Sequence, residues 1–250
     1  MRGLDRFREF FSEFPDQYVL IGGAASHLAF DAADLSFRAT QDLDIVLVVE
    51  ALTDDFMKRF REFIEAGGYE IKEEDGGREL YRFRKPADDS FPVMLELFSR
   101  TPDQIQLGDM SRLTPIPAEE SGLSLSAMLL DDDYYEALKA WATQSEGITY
   151  LDPRMLIPFK AYAYLNLVKT KAEGGRADSK HIRKHRNDVF ALLQLLGEGE
   201  RIELPGALAS DLKEFASAIE VDESFEPKDI GLSGSRQDQT ARLHAAFALE

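Results

Sequence analysis

The sequence predicts an α+β protein: a mixed sheet with flanking helices in the first half, and a mainly helical second half. Two observations carry this. Up to Phe98 the apolar pattern runs helix, strand, helix, strand, helix, then antiparallel strands, unlike the repeating βαβ order of a doubly wound sheet. Beyond Thr114-Pro115-Ile116-Pro117 the apolar spacing is almost wholly helical, so a boundary falls there, giving domains 1–115 and 116–250. A chain of 250 residues has room for one large domain or two smaller ones.

Residues 4–14 set Leu4, Phe7, Phe10, Phe11 and Phe14 at helical spacing, and Pro15 stops that helix. Tyr18-Val19-Leu20-Ile21 reads as a short strand running into Gly22-Gly23, and Ala24 to Phe30 as a helix opening directly after the glycines. Ile45 to Val49 is apolar on both faces, the pattern of a central buried strand. Thr53 caps a helix that runs to about Glu65 and closes at Gly67-Gly68.

Tyr69–Glu73, Glu79–Arg84 and Val93–Phe98 follow as strands, with Gly76-Gly77 as a hairpin signal and Pro86-Ala87-Asp88-Asp89 as a second turn. The second half carries helices near 124–145, 153–172, 178–196, 207–219 and 237–249, with Gly174-Gly175 breaking the second from the third. Asp152-Pro153 supplies a cap and a first-turn proline; Pro158 then either kinks that helix or marks its true start.

Hydrophobic content of 44% with 30% charged residues is that of a globular chain, and no apolar run approaches the roughly 20 residues of a membrane span. The first residues lack the apolar core of a signal peptide, so a cytoplasmic location is expected, with no membrane partner. With no cysteine there are no disulfides, thiol nucleophiles or cysteine-ligated zinc, and the four histidines show no zinc spacing. A net charge of −17 argues against indiscriminate coating of nucleic acid. One segment departs from that balance: Arg154 to Asp188 holds nine Lys or Arg against three acids. It is either a solvated helical face or a track for an anionic partner.

The chemistry concentrates in Gly22-Gly23 and in Arg38-Ala39-Thr40-Gln41-Asp42-Leu43-Asp44. Alternate strand residues point to one side, so Asp42 and Asp44 face together with α-carbons about 6.5–7 Å apart. Two such carboxylates repel unless a cation shares them, and Mg²⁺ suits a few carboxylates together with substrate phosphates. The glycines either let the backbone approach a phosphate or simply form a strand-to-helix turn. Ser26 adds a hydroxyl to a phosphate or lines its own helix.

Lys160 adjoins an apolar helix face made by Ile157, Ala161, Tyr164, Leu165 and Val168. It meets an anion there or snorkels to solvent. Lys184 and Asp188 are four apart and share a helix face. A surface ion pair of that kind contributes only about 0.3–0.5 kcal/mol, and its base-before-acid order is the less favourable one, which tilts the pair toward a site. His185, next in sequence to Lys184, either touches substrate or faces solvent.

Together these segments resemble the nucleotidyltransferase superfamily that includes DNA polymerase beta. They are more closely similar to the AbiEii-type toxins of type IV toxin–antitoxin pairs. The motifs that carry the likeness are Gly22-Gly23, Arg38 to Asp44, Leu156-Ile157-Pro158-Phe159-Lys160 and Lys184-His185-Arg186-Asn187-Asp188-Val189, in order over about residues 19–195. The eighteen residues between Gly23 and Asp42 are more than compact antibiotic-modifying members have, and fit the toxin-like branch better.

The resemblance implies a polymerase-beta-like domain followed by a helical one, with nucleotide bound in the cleft between them. It implies transfer of a nucleoside monophosphate from a triphosphate to an acceptor hydroxyl, with pyrophosphate released. Two Mg²⁺ ions would be held by Asp42, Asp44 and a third acid. Glu96, in the strand expected beside the acidic one, is the choice for that acid; the alternative is a buried structural glutamate in a salt bridge. Gly22, Gly23, Ser26, Lys160, Lys184 and Asp188 would contact the nucleotide, and Arg38 would be structural or phosphate-facing. The expected acceptor is RNA, a tRNA end by family analogy, and a toxin implies an antitoxin partner. The competing expectations are a nucleotidyltransferase for small molecules, in which Arg183 and Arg186 would be dispensable, and an inactive nucleotide-binding or regulatory protein of the same fold.

Overall fold

The computed structural model describes residues 1–70, 80–100, 128 and 131–249. It is an α+β protein with a six-stranded mixed sheet, and the chain divides into two compact units. One falls within Met1–Leu130 and Leu138–Asp152; the other comprises Asp131–Ala137 and Pro153–Glu250.

In the first unit, α1 (Leu4–Phe11) leads to β1 (Tyr18–Ile21), α2 (Gly22–Asp31), β2 (Asp42–Leu47), α3 (Asp54–Gly67), β3 (Leu80–Arg84) and β4 (Met94–Ser99). The three helices form near their expected places, with α1 ending at Phe11 short of the expected Phe14. Leu4, Phe7 and Phe11 are the buried stripe of α1, and the Thr53 hydroxyl accepts the Phe56 amide to cap α3. Gly68 ends α3 in the left-handed conformation, φ 59°, that a side chain would resist. The two helices lay their phenylalanines against each other over β1. Phe63 meets Phe7 edge-on at 5.9 Å, and Phe11 lies 5.5 Å from Phe56 and 6.1 Å from Tyr18.

The sheet order is β3-β4-β2-β1-β6-β5, with β5 (Ala142–Ser145) and β6 (Ile148–Leu151) completing it. Strand β2 runs antiparallel to β1 and parallel to β4, β3 is antiparallel to β4, and β6 is parallel to β1. Only one interior stretch of β2, Ile45–Leu47, is buried without a break; Val48 leaves the strand and Val49–Ala51 forms a 3₁₀ turn, so β2 ends earlier than its apolar run suggests.

The hairpin β5–β6 corrects the expectation of helix through residue 145. Among the described residues, helix there covers Met128 and Asp132–Ala140, α4. Glu146 and Gly147 both take positive φ, 49° and 78°, the pairing of a two-residue hairpin turn whose twist matches the strands. β-Branched Thr143, Ile148 and Thr149 favour the pleat on either side. The expected boundary at Thr114–Pro117, the hairpin glycines Gly76-Gly77 and most of the strand expected at Tyr69–Glu73 lie outside the described residues; Glu70 makes a single antiparallel bridge with Arg84.

In the second unit, α5 (Pro153–Ala172) packs on α6 (Ser179–Leu193) and α7 (Gly206–Glu220), and α7 packs on α8 (Arg236–Ala246). Helix α5 begins at Pro153 and runs through Pro158, which settles the alternative of a later start. It is buried nearly all round from Met155 to Ala161, the pattern of a central helix. Asp178 caps α6 through the Lys180 amide, and Ser235 with Asp238 forms a capping box on α8. Among the described residues, no helix is long and apolar enough to cross a membrane.

Candidate functional site

Two groups of polar residues stand out, one in each unit. In the first, the end of β1 and the start of β2 lie side by side because the strands are antiparallel, with Ile21 opposite Asp44. Helix α2 opens at Gly22 itself, two residues earlier than expected, so both glycines belong to its first turn. Gly22 sits at φ 65°, and a side-chain carbon there would overlap the Asp44 carboxylate. A carbon on Gly23 would stand 2.5 Å from Thr40 Oγ1. The glycine pair and the Thr40-x-Asp42-x-Asp44 wording are therefore one packed unit: each glycine clears the place of one side chain from the segment leading into β2. Thr40 is the residue whose part sequence reading missed. Its signal was present in the fixed spacing Thr40, Asp42, Asp44, which continues the strand alternation backward.

Asp42 and Asp44 are half-buried on one face of β2, separated by fully buried Leu43. Oxygen donors at a strand end, with the helix opening beside them, fit a hard divalent cation. Ser26 takes the other of its two expected places: it is fully buried and donates to the Gly22 carbonyl at 2.8 Å, lining its helix.

Glu96 lies directly opposite Asp44 in the parallel β2–β4 register, and Asp42 opposite Met94. On the far side of Glu96, in the β3–β4 register, stands Arg82. Arg82 Nε donates to Glu96 Oε1 at 2.6 Å and Nη2 pairs with the same oxygen, the two side chains being 3% and 7% exposed. The carboxylate thus occupies the salt-bridge position that was the alternative to metal ligation. Among the described residues, no three His, Cys, Asp or Glu side chains gather closely enough to hold a metal ion. Arg82 was legible only with the pairing in hand, since the run Leu80-Tyr81-Arg82-Phe83-Arg84 offers two arginines on one face. Arg38 is half-buried, its guanidinium 4.9 Å over the Phe37 ring.

In the helical unit the structure brings Lys160 and Asp188 together. Lys160 Nζ stands 3.1 Å from Asp188 Oδ2, with the side chains 6% and 3% exposed. This pair across α5 and α6 joins residues 28 positions apart and is invisible to helix spacing, which offers only Lys184 as a neighbour of Asp188. Lys184 is half-buried one turn before Asp188. His185 has its Nδ1 buried with no hydrogen-bond partner among the described residues, and burial holds its pKa well below the ordinary value. The charges of Lys160, Lys184 and His181 push in the same direction, and Asp188 opposes them. A neutral imidazole thus sits beside a buried ion pair.

Arg186 is a structural residue. It reaches Asp222 at 2.6 Å and Ser224 at 2.9 Å, and lies 4.9 Å over the Phe225 ring. By contrast Lys169, Lys171, Arg176, Lys180 and Arg183 are exposed around the α5–α6 connection. Basic residues at the start of α6 stand at the positive end of its dipole, where the Asp178 carboxylate supplies one anionic group as the cap. Compared with known proteins, the chain matches no family model, no curated protein and no solved structure.

Proposed function

We propose that this protein is a Mg²⁺-dependent nucleotidyltransferase that moves a nucleoside monophosphate from a triphosphate to an acceptor hydroxyl. The observation that carries the reading is the packing of Gly22 against Asp44. It sets the opening of α2 beside two carboxylates that share one strand face. The amides of a first helical turn suit phosphate oxygens, and the acidic pair suits the cation that accompanies them. Bound Mg²⁺ would supply charge neutralisation of the triphosphate and of the leaving pyrophosphate.

In the transfer, the acceptor oxygen forms a bond to the α-phosphorus as the bond from that phosphorus to the pyrophosphate oxygen breaks. The hydroxyl proton passes to solvent or base. Gly22 and Gly23 would keep side chains away from the phosphates, and Asp42 and Asp44 would hold the cation. Lys184 would meet anionic oxygens within the helical unit, whereas the anion that Lys160 meets is Asp188.

The acceptor is proposed to be RNA, on the strength of the exposed bases around the α5–α6 connection in a chain of net charge −17. A toxin-like role, with a neutralising protein partner, rests on the motif resemblance. A second reading, an inactive nucleotide-binding protein, is favoured by the engagement of Glu96 with Arg82.

The deciding experiment incubates the protein with each α-³²P-labelled triphosphate, Mg²⁺ and total RNA, beside the Asp42→Ala/Asp44→Ala variant. Label entering RNA with wild type alone supports transfer and identifies the base. Nucleotide binding without RNA labelling points to a small-molecule acceptor or to the inactive reading. Neither labelling nor a Mg²⁺-dependent rise in melting temperature with any triphosphate rejects the proposal.

A further inference from the structure

Arg82, Glu96 and Asp44 hold matched register positions on β3, β4 and β2, and so form a row across three strands on one face of the sheet. Glu96 stands between a guanidinium and an aspartate, and it is the guanidinium that has it. Both contacts from Arg82 fall on Oε1, and both side chains are more than nine-tenths buried. Turning this carboxylate toward a cation would leave Arg82 as a buried charge without its counter-ion, which is strongly unfavourable. A divalent ion sharing Glu96 with Arg82 would have to compete with the guanidinium for this carboxylate, and the positive charge of Arg82 weakens its hold on a second cation. The residues at this position therefore do not fit a third metal ligand.

We infer that Glu96 is the fixed counter-ion of Arg82 rather than a metal ligand, and that the cation site draws on Asp42 and Asp44 without it. The inference rests on the proposed reading that the β2 pair takes a cation. Its consequence is a count: without nucleotide, the protein holds one divalent ion instead of two. A second consequence is independence. Arg82 and Glu96 sum to zero charge, so removing both leaves the net charge around Asp42 and Asp44 unchanged.

The test uses the full chain, free of nucleotide, with Mn²⁺ as the probe and electron paramagnetic resonance to count the free ion. The expected result is one Mn²⁺ per chain, with Asp42→Asn or Asp44→Asn weakening it by about tenfold or more. The Arg82→Met/Glu96→Met variant should keep that stoichiometry, with Kd within about threefold of wild type, since apolar replacement of a buried ion pair is commonly tolerated. Should the methionine pair fail to fold, Arg82→Gln/Glu96→Gln keeps a hydrogen bond across the same strands and carries the same comparison.

Two ions per wild-type chain, none, or a loss of about tenfold in affinity in a folded double variant overturns the inference. The two conclusions fail separately. RNA labelling that persists while the double variant loses Mn²⁺ leaves nucleotidyl transfer standing and removes this inference. Unchanged Mn²⁺ binding in the double variant with no transfer by wild type does the reverse.

Discussion

Lys160 and Asp188 form an ion pair of 3.1 Å between α5 and α6, with both side chains more than nine-tenths buried. Removing one partner from such a pair costs far more than removing both, because the survivor keeps its desolvation penalty. Lys160→Met is therefore expected to destabilise the protein by about 3–5 kcal/mol, and Lys160→Met/Asp188→Leu by distinctly less. Urea unfolding followed by circular dichroism checks this. Equal losses in the single and double variants would show the two residues to be energetically independent.

Gly22 and Gly23 are predicted to respond differently to alanine. Gly22 needs positive φ, which costs an L-residue about 1–2 kcal/mol before any clash with Asp44 is counted. Gly23 has ordinary φ, and the atoms nearest a new carbon there all belong to the Thr40 side chain. Gly23→Ala should thus recover much of its lost melting temperature when combined with Thr40→Ala. Gly22→Ala should stay impaired when combined with Asp44→Ala. Thermal melts of the four variants decide it; rescue of both glycines alike would refute the assignment of backbone strain to Gly22.

The contrast also shows what the sequence could and could not reveal. The α1 and α3 helices, β1, β2 and β4 were legible because each carries a complete local signal: an apolar stripe with a cap, or a short apolar run between turns. The meeting of Gly22 with Asp44 was half legible, since both motifs are local but their contact depends on β1 and β2 being antiparallel. Strand β5 was read as the end of a helix and β6 went unassigned, because Glu146-Gly147 is an uncommon spelling of a tight turn and the strands are only four residues each. The partners of Glu96 and Asp188 were out of reach. Each is fixed by register or helix packing between distant segments, and a buried charge in a sequence does not announce which opposite charge meets it.

His185 gives a pH dependence with a definite sign. Its folded pKa lies well below the ordinary value through burial and then the charge of Lys160 on α5, with Lys184 and His181 on its own helix adding and Asp188 opposing. The unfolded chain therefore binds a proton below about pH 6.5 that the native state refuses. This group's contribution to stability is complete above pH 6.5 and declines as pH falls from there toward the depressed folded value. The slope is at most about 1.4 kcal/mol per pH unit, and less to the extent that the half-buried ring meets water. His185→Gln should flatten the stability profile between pH 5 and 6.5; an unchanged profile would show that the imidazole titrates normally.

Surface charge and buried charge around the same helix should separate cleanly. Arg186 belongs to a structural cluster with Asp222, Ser224 and Phe225, so Arg186→Ala should lower the melting temperature and impair everything together. That makes it a poor probe of acceptor binding, despite its place in the basic segment. Lys180 and Arg183 are exposed, and Lys180→Glu/Arg183→Glu should leave the melting temperature within about 0.5 kcal/mol equivalent of wild type. If RNA approaches along this face, the charge-reversed variant should label RNA far less at low salt while binding triphosphate as before. Wild-type labelling should also fall steeply between about 50 and 200 mM salt as counterions compete for the phosphates. Labelling insensitive to both salt and charge reversal would take the α5–α6 connection out of acceptor recognition and favour a small-molecule acceptor.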